Sequence, residues 1–162
     1  MNYETADLCD AHGDGVCVVD AIFTEYGAKP VFHGDVCTVR VERDFLLVRQ
    51  ILDEPGADRV LVVDGGAYQG GALLGGQMAK RAVDNQWAGV IINGCIRDVA
   101  ELATLPIGIR ALKPSPARSA MEGVGERDVM VEFGGVKFAS GAHVYADHDG
   151  IVVAAQALTL VP

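Results

Sequence analysis

The stretch from Val60 to Glu101 narrows the choice of fold more than any other part of the chain. It opens on four consecutive apolar residues, Val60 to Val63, passes through a loop carrying Gly65, Gly66, Gly70 and Gly71, and returns to an apolar run at Val90 to Ile92. Short unbroken apolar runs suit strands covered on both faces, and the small-residue segment between them suits a helix packed closely on a sheet. Strand, helix and strand at this length predict a βαβ unit. Such crossovers are right-handed, so the C-terminal ends of both strands, Asp64 with its glycines and Asn93 with Gly94, open on one edge of the sheet. That edge is where α/β sheets bind ligands.

Two readings of the glycines are open. They are turn devices, or they belong to a site. A dinucleotide or nucleoside triphosphate site is excluded, since neither G-x-G-x-x-G nor G-x-x-x-x-G-K-[ST] occurs. What remains is the helix start at Gly75, Gly76, Gln77 and Met78, whose free backbone amides suit a carboxylate or phosphate. Arg97 and Asp98 likewise read either as a surface ion pair, with Asp98 capping the short helix VAEL, or as part of a site. Their place at the open end of the second strand favours the site. A guanidinium, a carboxylate and backbone donors together suit a small anionic substrate with a divalent metal.

The remaining segments are consistent with one α/β domain over residues 1–162. Thr5 is placed to cap a helix running to Ala11, and Gly34 to Glu42 alternates like a strand with one wet face. Asp44 precedes FLLVRQILD, a helical stripe ended by Pro55-Gly56, and a longer helix is expected from Ala72 to Gln86, burying Leu73, Ala79, Ala82 and Val83. Pro106 to Leu112 reads as another strand. Lys113 to Asp128 is polar and broken by proline and glycine, a surface excursion suited to subunit contacts. Beyond it, VMVEF, VKFAS, HVYAD and IVVAA predict an antiparallel meander beside the βαβ layer. A net charge of −9 argues against direct nucleic-acid binding. Four cysteines without a pairing pattern point to reduced thiols and a cytoplasmic protein, and no run is long enough to span a membrane.

The segments LCDA, VLVVDGG, ALLGGQMAKRAVDNQWAGVIINGCIRDVAEL, GVGERDVMVEFGGVKF and YADHDGIVV, spread from Thr5 to Val153, together resemble the family called regulator of ribonuclease activity A. The resemblance implies a swivelling β/β/α domain assembled as a ring-shaped homotrimer, or a multiple of three, with the site between subunits. It also implies two functions. One is a class II, metal-dependent lyase that cleaves 4-hydroxy-4-methyl-2-oxoglutarate and decarboxylates oxaloacetate through a shared pyruvate enolate; the other is binding and inhibition of ribonuclease E. A menaquinone methyltransferase label carried by some members has no adenosyl-cofactor motif to support it here. In the lyase, Arg97 would hold the substrate carboxylate and keto oxygen, Asp98 would bind Mg²⁺ or Mn²⁺, and the backbone of Gly75, Gly76, Gln77 and Met78 would contact the substrate. Lys80 is expected to be solvated, with no Schiff-base role. The chain departs from the aldolase pattern, an Asp followed after twenty residues by Arg-Asp, by having Gly76 at the first position and reading G-x20-R-D-x2-E to Glu101.

Overall fold

The structure is a computed structural model and describes residues 2–160. Its strands and helices, in chain order, are α1 (Thr5–His12), β1 (Val16–Val18), β2 (Thr24–Glu25), β3 (Phe32–Val41), α2 (Leu46–Leu52), β4 (Val60–Asp64) and β5 (Ala72–Leu74). There follow α3 (Gly76–Asp84), β6 (Gly89–Ile96), α4 (Val99–Leu102), β7 (Gly108–Pro114), β8 (Gly125–Arg127), β9 (Val131–Phe133), β10 (Val136–Phe138), β11 (His143–Ala146) and β12 (Ile151–Ala154).

The apolar runs behave as the βαβ reading requires. β4 and β6 pair in parallel, with Val60 opposite Gly89 and Asp64 opposite Asn93, and α3 crosses between them. The sheet runs β1-β12-β11-β3-β4-β6-β7-β2, with β5 added to β6 and β8 to β3. Its centre (β3, β4, β6, β7) is parallel, and β11, β12 and β1 continue it antiparallel. The C-terminal strands are therefore an extension of the same sheet, except for the separate β9–β10 hairpin.

Alternation along the strands divides two cores. Leu61 and Val63 face a cluster with Val48, Ile51 and Ala82 of the helices, while Val60 and Val62 face one with Val131, Phe133 and Phe138 of the hairpin. Helices cover one face and the hairpin the other, so the central strands are buried on both sides and carry no polar alternation. For the same reason most of β3 is covered and only Asp35 and Arg40 are exposed, where one wet face was expected. All four cysteines are free, and among the described residues no helix is long and apolar enough to cross a membrane.

Three local expectations change. The segment from Ala72 begins as strand, β5, and the helix starts only at Gly76, so Leu73 is buried as a strand residue and Val83 is half-buried. The excursion from Lys113 folds back to form β8 against β3. Thr5 is not a cap. Its N–H and hydroxyl donate to Asp147 at 2.6 and 2.7 Å, so a carboxylate from the β11–β12 turn secures the start of α1.

The N-cap of α2 is Phe45, one residue after the expected Asp44, but the Asp44 carboxylate still secures the helix start, accepting the Leu46 N–H at 2.9 Å, and its other oxygen accepts the N–H groups of Glu122 and Gly123. Burial alone would raise its carboxyl, but the backbone donors of Leu46, Glu122, Gly123 and Val124 outweigh burial and hold it below the ordinary carboxylate range. At Asp147 burial is likewise overcome, by Thr5, Asp149 and Gly150. A carboxylate with a depressed folded value contributes stability that is present above its unfolded value, about 4, and lost as pH falls through the folded one. Asp44→Asn should therefore cost about 2 kcal/mol at neutral pH, by turning an amide NH₂ toward backbone donors. In urea titrations the variant should also show a shallower loss of stability below pH 4 than the wild type; identical acid limbs would contradict the assignment.

Candidate active site

A cavity of about 340 Å³ opens where β5, α3, the end of β6 and α4 meet. The Arg97 N–H donates to the Leu74 carbonyl at 2.9 Å, tying the end of β6 to β5 and setting Arg97 beside the start of α3. The next residue, Asp98, has a left-handed backbone (φ 61°, ψ 42°), a conformation Asp tolerates better than most residues. This turn sends its carboxylate back, and Oδ2 accepts the Gly76 N–H at 2.9 Å. Asp98 thus caps α3 rather than α4, and makes no ion pair with Arg97 among the described residues. Among the described residues the pair is therefore neither an ion pair nor a cap on α4.

The two glycines at the start of α3 are there for close approach. A Cβ on Gly75 would lie 2.8 Å from Asp98 Oδ2 and 3.5 Å from the Arg97 side chain. A Cβ on Gly76 would run into the Glu101 carboxylate. Glu101 is a residue that sequence reasoning left out of the site; it stands in α4, and the turn at the left-handed Asp98 brings its carboxylate to the start of α3. Its carboxylate fills the place that a side chain at position 76 would take. Gln77 and Met78 also line the cavity, and their N–H groups make no hydrogen bond among the described residues, leaving two donors at the positive end of α3.

The earlier glycine loop does not line the cavity. Asp64 accepts the Asn93 amide at 3.0 Å and the Gly66 N–H at 2.9 Å, closing that loop on β6. The ligand edge is shifted instead to the strand ends extended by β5. Lys80 is exposed, as expected.

Among the described residues no three His, Cys, Asp or Glu side chains form a ready metal cage. Two carboxylates, Asp98 and Glu101, do line this cavity. One or two carboxylates completed by substrate oxygens and water are the ordinary donor set for Mg²⁺ or Mn²⁺, so the residues present fit such a cation.

The RraA-like family, described as Aldolase/RraA, matches residues 5–153. The chain belongs to that family. A protein of Alkalilimnicola ehrlichii bearing the provisional name 4-hydroxy-4-methyl-2-oxoglutarate aldolase is 48% identical over 158 residues, covering 98% of each chain. One of Ectopseudomonas mendocina with the same name is 44% identical over 99% of each. Among solved structures, one from Geobacillus kaustophilus named S-adenosylmethionine:2-dimethylmenaquinone methyltransferase superposes with TM-score 0.93 at 49% identity, over 96% of this chain and 97% of that one. The RNA-processing inhibitor RraA from Thermus thermophilis superposes with TM-score 0.95 at 41% identity, over 99% of this chain and 98% of that one. This chain thus has the mixed α/β RraA-like fold, a βαβ core with antiparallel strands beside it.

Proposed function

We propose that this RraA-like protein is a divalent-metal-dependent lyase for small 2-oxo acids, cleaving 4-hydroxy-4-methyl-2-oxoglutarate and decarboxylating oxaloacetate. The observation that carries the reading is the convergence of Arg97, Asp98 and Glu101 on the free amides at the start of α3, within one cavity. The names of the relatives from Alkalilimnicola and Ectopseudomonas support it.

Asp98 would hold Mg²⁺ or Mn²⁺, which when bound supplies a Lewis acid for the keto oxygen. Arg97 binds the substrate's C1 carboxylate and keto oxygen with its planar fork, and the Gln77 and Met78 N–H groups take the remaining carboxylate oxygen. In aldol cleavage the C4 hydroxyl gives up its proton to the water beside Glu101, its oxygen closes a C4 carbonyl that leaves as one pyruvate, and the C3–C4 bond breaks with its electron pair moving onto the C2 keto oxygen as the enolate of a second pyruvate. Arg97 stabilises the charge that develops there, and return of that proton from the water to C3 completes the second pyruvate. Decarboxylation of oxaloacetate uses the same electron sink and needs no base. The Glu101 carboxylate directs the water that accepts the hydroxyl proton.

The test is pyruvate release from either substrate with Mg²⁺. Rates no higher than Mg²⁺ alone with both would overturn the reading. In that case the second reading takes its place: a regulator whose acidic surface engages basic segments of ribonuclease E, favoured by the inhibitor name of the Thermus relative and the net charge of −9. Its signature is saturable binding that weakens with salt.

We further propose that the chain is one domain assembled as a ring-shaped trimer. Exposed Met121, Val124 and Met130, on and just after the 113–128 excursion, supply apolar surface for a closed cyclic contact. Light scattering at micromolar concentration should give a multiple of three chains, and a stable monomer would contradict the assembly.

A further inference from the structure

A second set of basic residues lines the cavity. Arg49, Arg81 and Arg118 join Arg97, against the carboxylates of Asp98 and Glu101. Four guanidiniums in one cavity are unexpected in a chain of net charge −9. Arg81 is already occupied, donating to both oxygens of Asp53 at 3.2 and 3.0 Å. Arg49 and Arg118 differ, since among the described residues neither side chain has an ion pair or hydrogen bond.

Both are tied to the same residue, Arg118 through its ring and Arg49 through its backbone. Phe45 precedes α2 and is buried; the Arg118 guanidinium lies over its ring, 5.6 Å from the centroid. Arg49 is four residues on, its N–H bonded to the Phe45 carbonyl at 3.0 Å, so it lies one helical turn from Phe45. Arg118 rides on a strap that is fixed on either side of it. Ala72 donates its N–H to the Ala117 carbonyl and accepts the Ser119 N–H, at 2.8 and 3.2 Å. A planar cation stacked on an aromatic ring and without a carboxylate partner is held ready for an anion.

Resting on the reading above, we propose that Arg49 and Arg118 form a subsite for a second carboxylate. They would select 2-oxo acids that are dicarboxylates over those with an apolar end. The Arg97–Asp98 end of the cavity serves the 2-oxo acid group, and the pair around Phe45 serves the far end.

The experiment compares 2-oxoglutarate with 2-oxopentanoate, which has the same chain length without the second carboxylate. Both are titrated calorimetrically into the full chain with Mg²⁺. The wild type should bind 2-oxoglutarate about 10- to 100-fold more tightly, the size expected for charge-assisted bonds to one carboxylate. In Arg118→Gln and in Arg49→Gln the ratio of dissociation constants should fall toward one. No preference in the wild type, or a preference kept in both variants, overturns the subsite. The two proposals fail separately. Pyruvate release without a dicarboxylate preference removes the subsite alone, whereas a preference abolished by the variants, with no turnover, supports the subsite and removes the lyase.

Discussion

Asp98→Ala should reduce Mg²⁺-dependent pyruvate release from oxaloacetate and from 4-hydroxy-4-methyl-2-oxoglutarate to the level of the metal alone. The loss is expected to be at least about 10²–10³-fold, the cost of removing a preorganised electrostatic group from such a site. The variant should still fold, because Asp98 is exposed and its loss frees only the Gly76 N–H, at a helix end that water can reach. Asp98→Asn separates the two duties of this side chain. Asparagine can still accept from Gly76 and tolerates the left-handed backbone, but it brings no charge to a cation. Asn with activity near wild type would return Asp98 to a purely structural role.

The second large effect concerns Glu101. Glu101→Ala should lower aldol cleavage by about 10²–10⁴-fold, the usual contribution of a positioned base, and lower oxaloacetate decarboxylation less. The glycine at 76 is expected to be permissive for the reverse exchange. It is absent from the positive-φ residues, and an acidic side chain in the first turn of α3 is favoured by the helix dipole. Gly76→Asp alone would press its side chain against the Glu101 carboxylate and gain little. The double variant Gly76→Asp/Glu101→Ala should regain aldolase activity over Glu101→Ala, with the carboxylate now carried by α3. Wild-type rates in Glu101→Ala, or no recovery in the double variant, would remove Glu101 from the chemistry.

These two residues mark the limit of what could be read from the chain. The βαβ unit was legible because Val60 to Val63 and Val90 to Ile92 are buried on both faces and leave a continuous apolar run. Arg97 and Asp98 were legible because they follow such a run directly. β5 was not, since Ala-Leu-Leu has high helix propensity and becomes strand only through its parallel pairing with β6, a contact made more than twenty residues away. Glu101 entered only as the last residue of the G-x20-R-D-x2-E pattern, and its place opposite Gly76 depends on how α4 turns after the left-handed Asp98. Arg49 read as the wet face of a helix and Arg118 as part of a polar loop. Only the folding of the excursion back over α2 brings the two together.

That excursion is tied down more fully than its composition suggests. Ser115 donates to Ile96, Ala117 and Ser119 bond Ala72, Ala120 bonds Arg43 and Phe45, and Asp44 accepts from Glu122 and Gly123. A segment fastened this often cannot swing as a flap without breaking several bonds at once, so the cavity has no hinged lid in this part of its wall. Substrate would enter and product leave through a standing opening. Turnover should then be insensitive to the slow loop motions that limit many enzymes, and solvent viscosity should slow kcat only where diffusion through that opening is itself limiting.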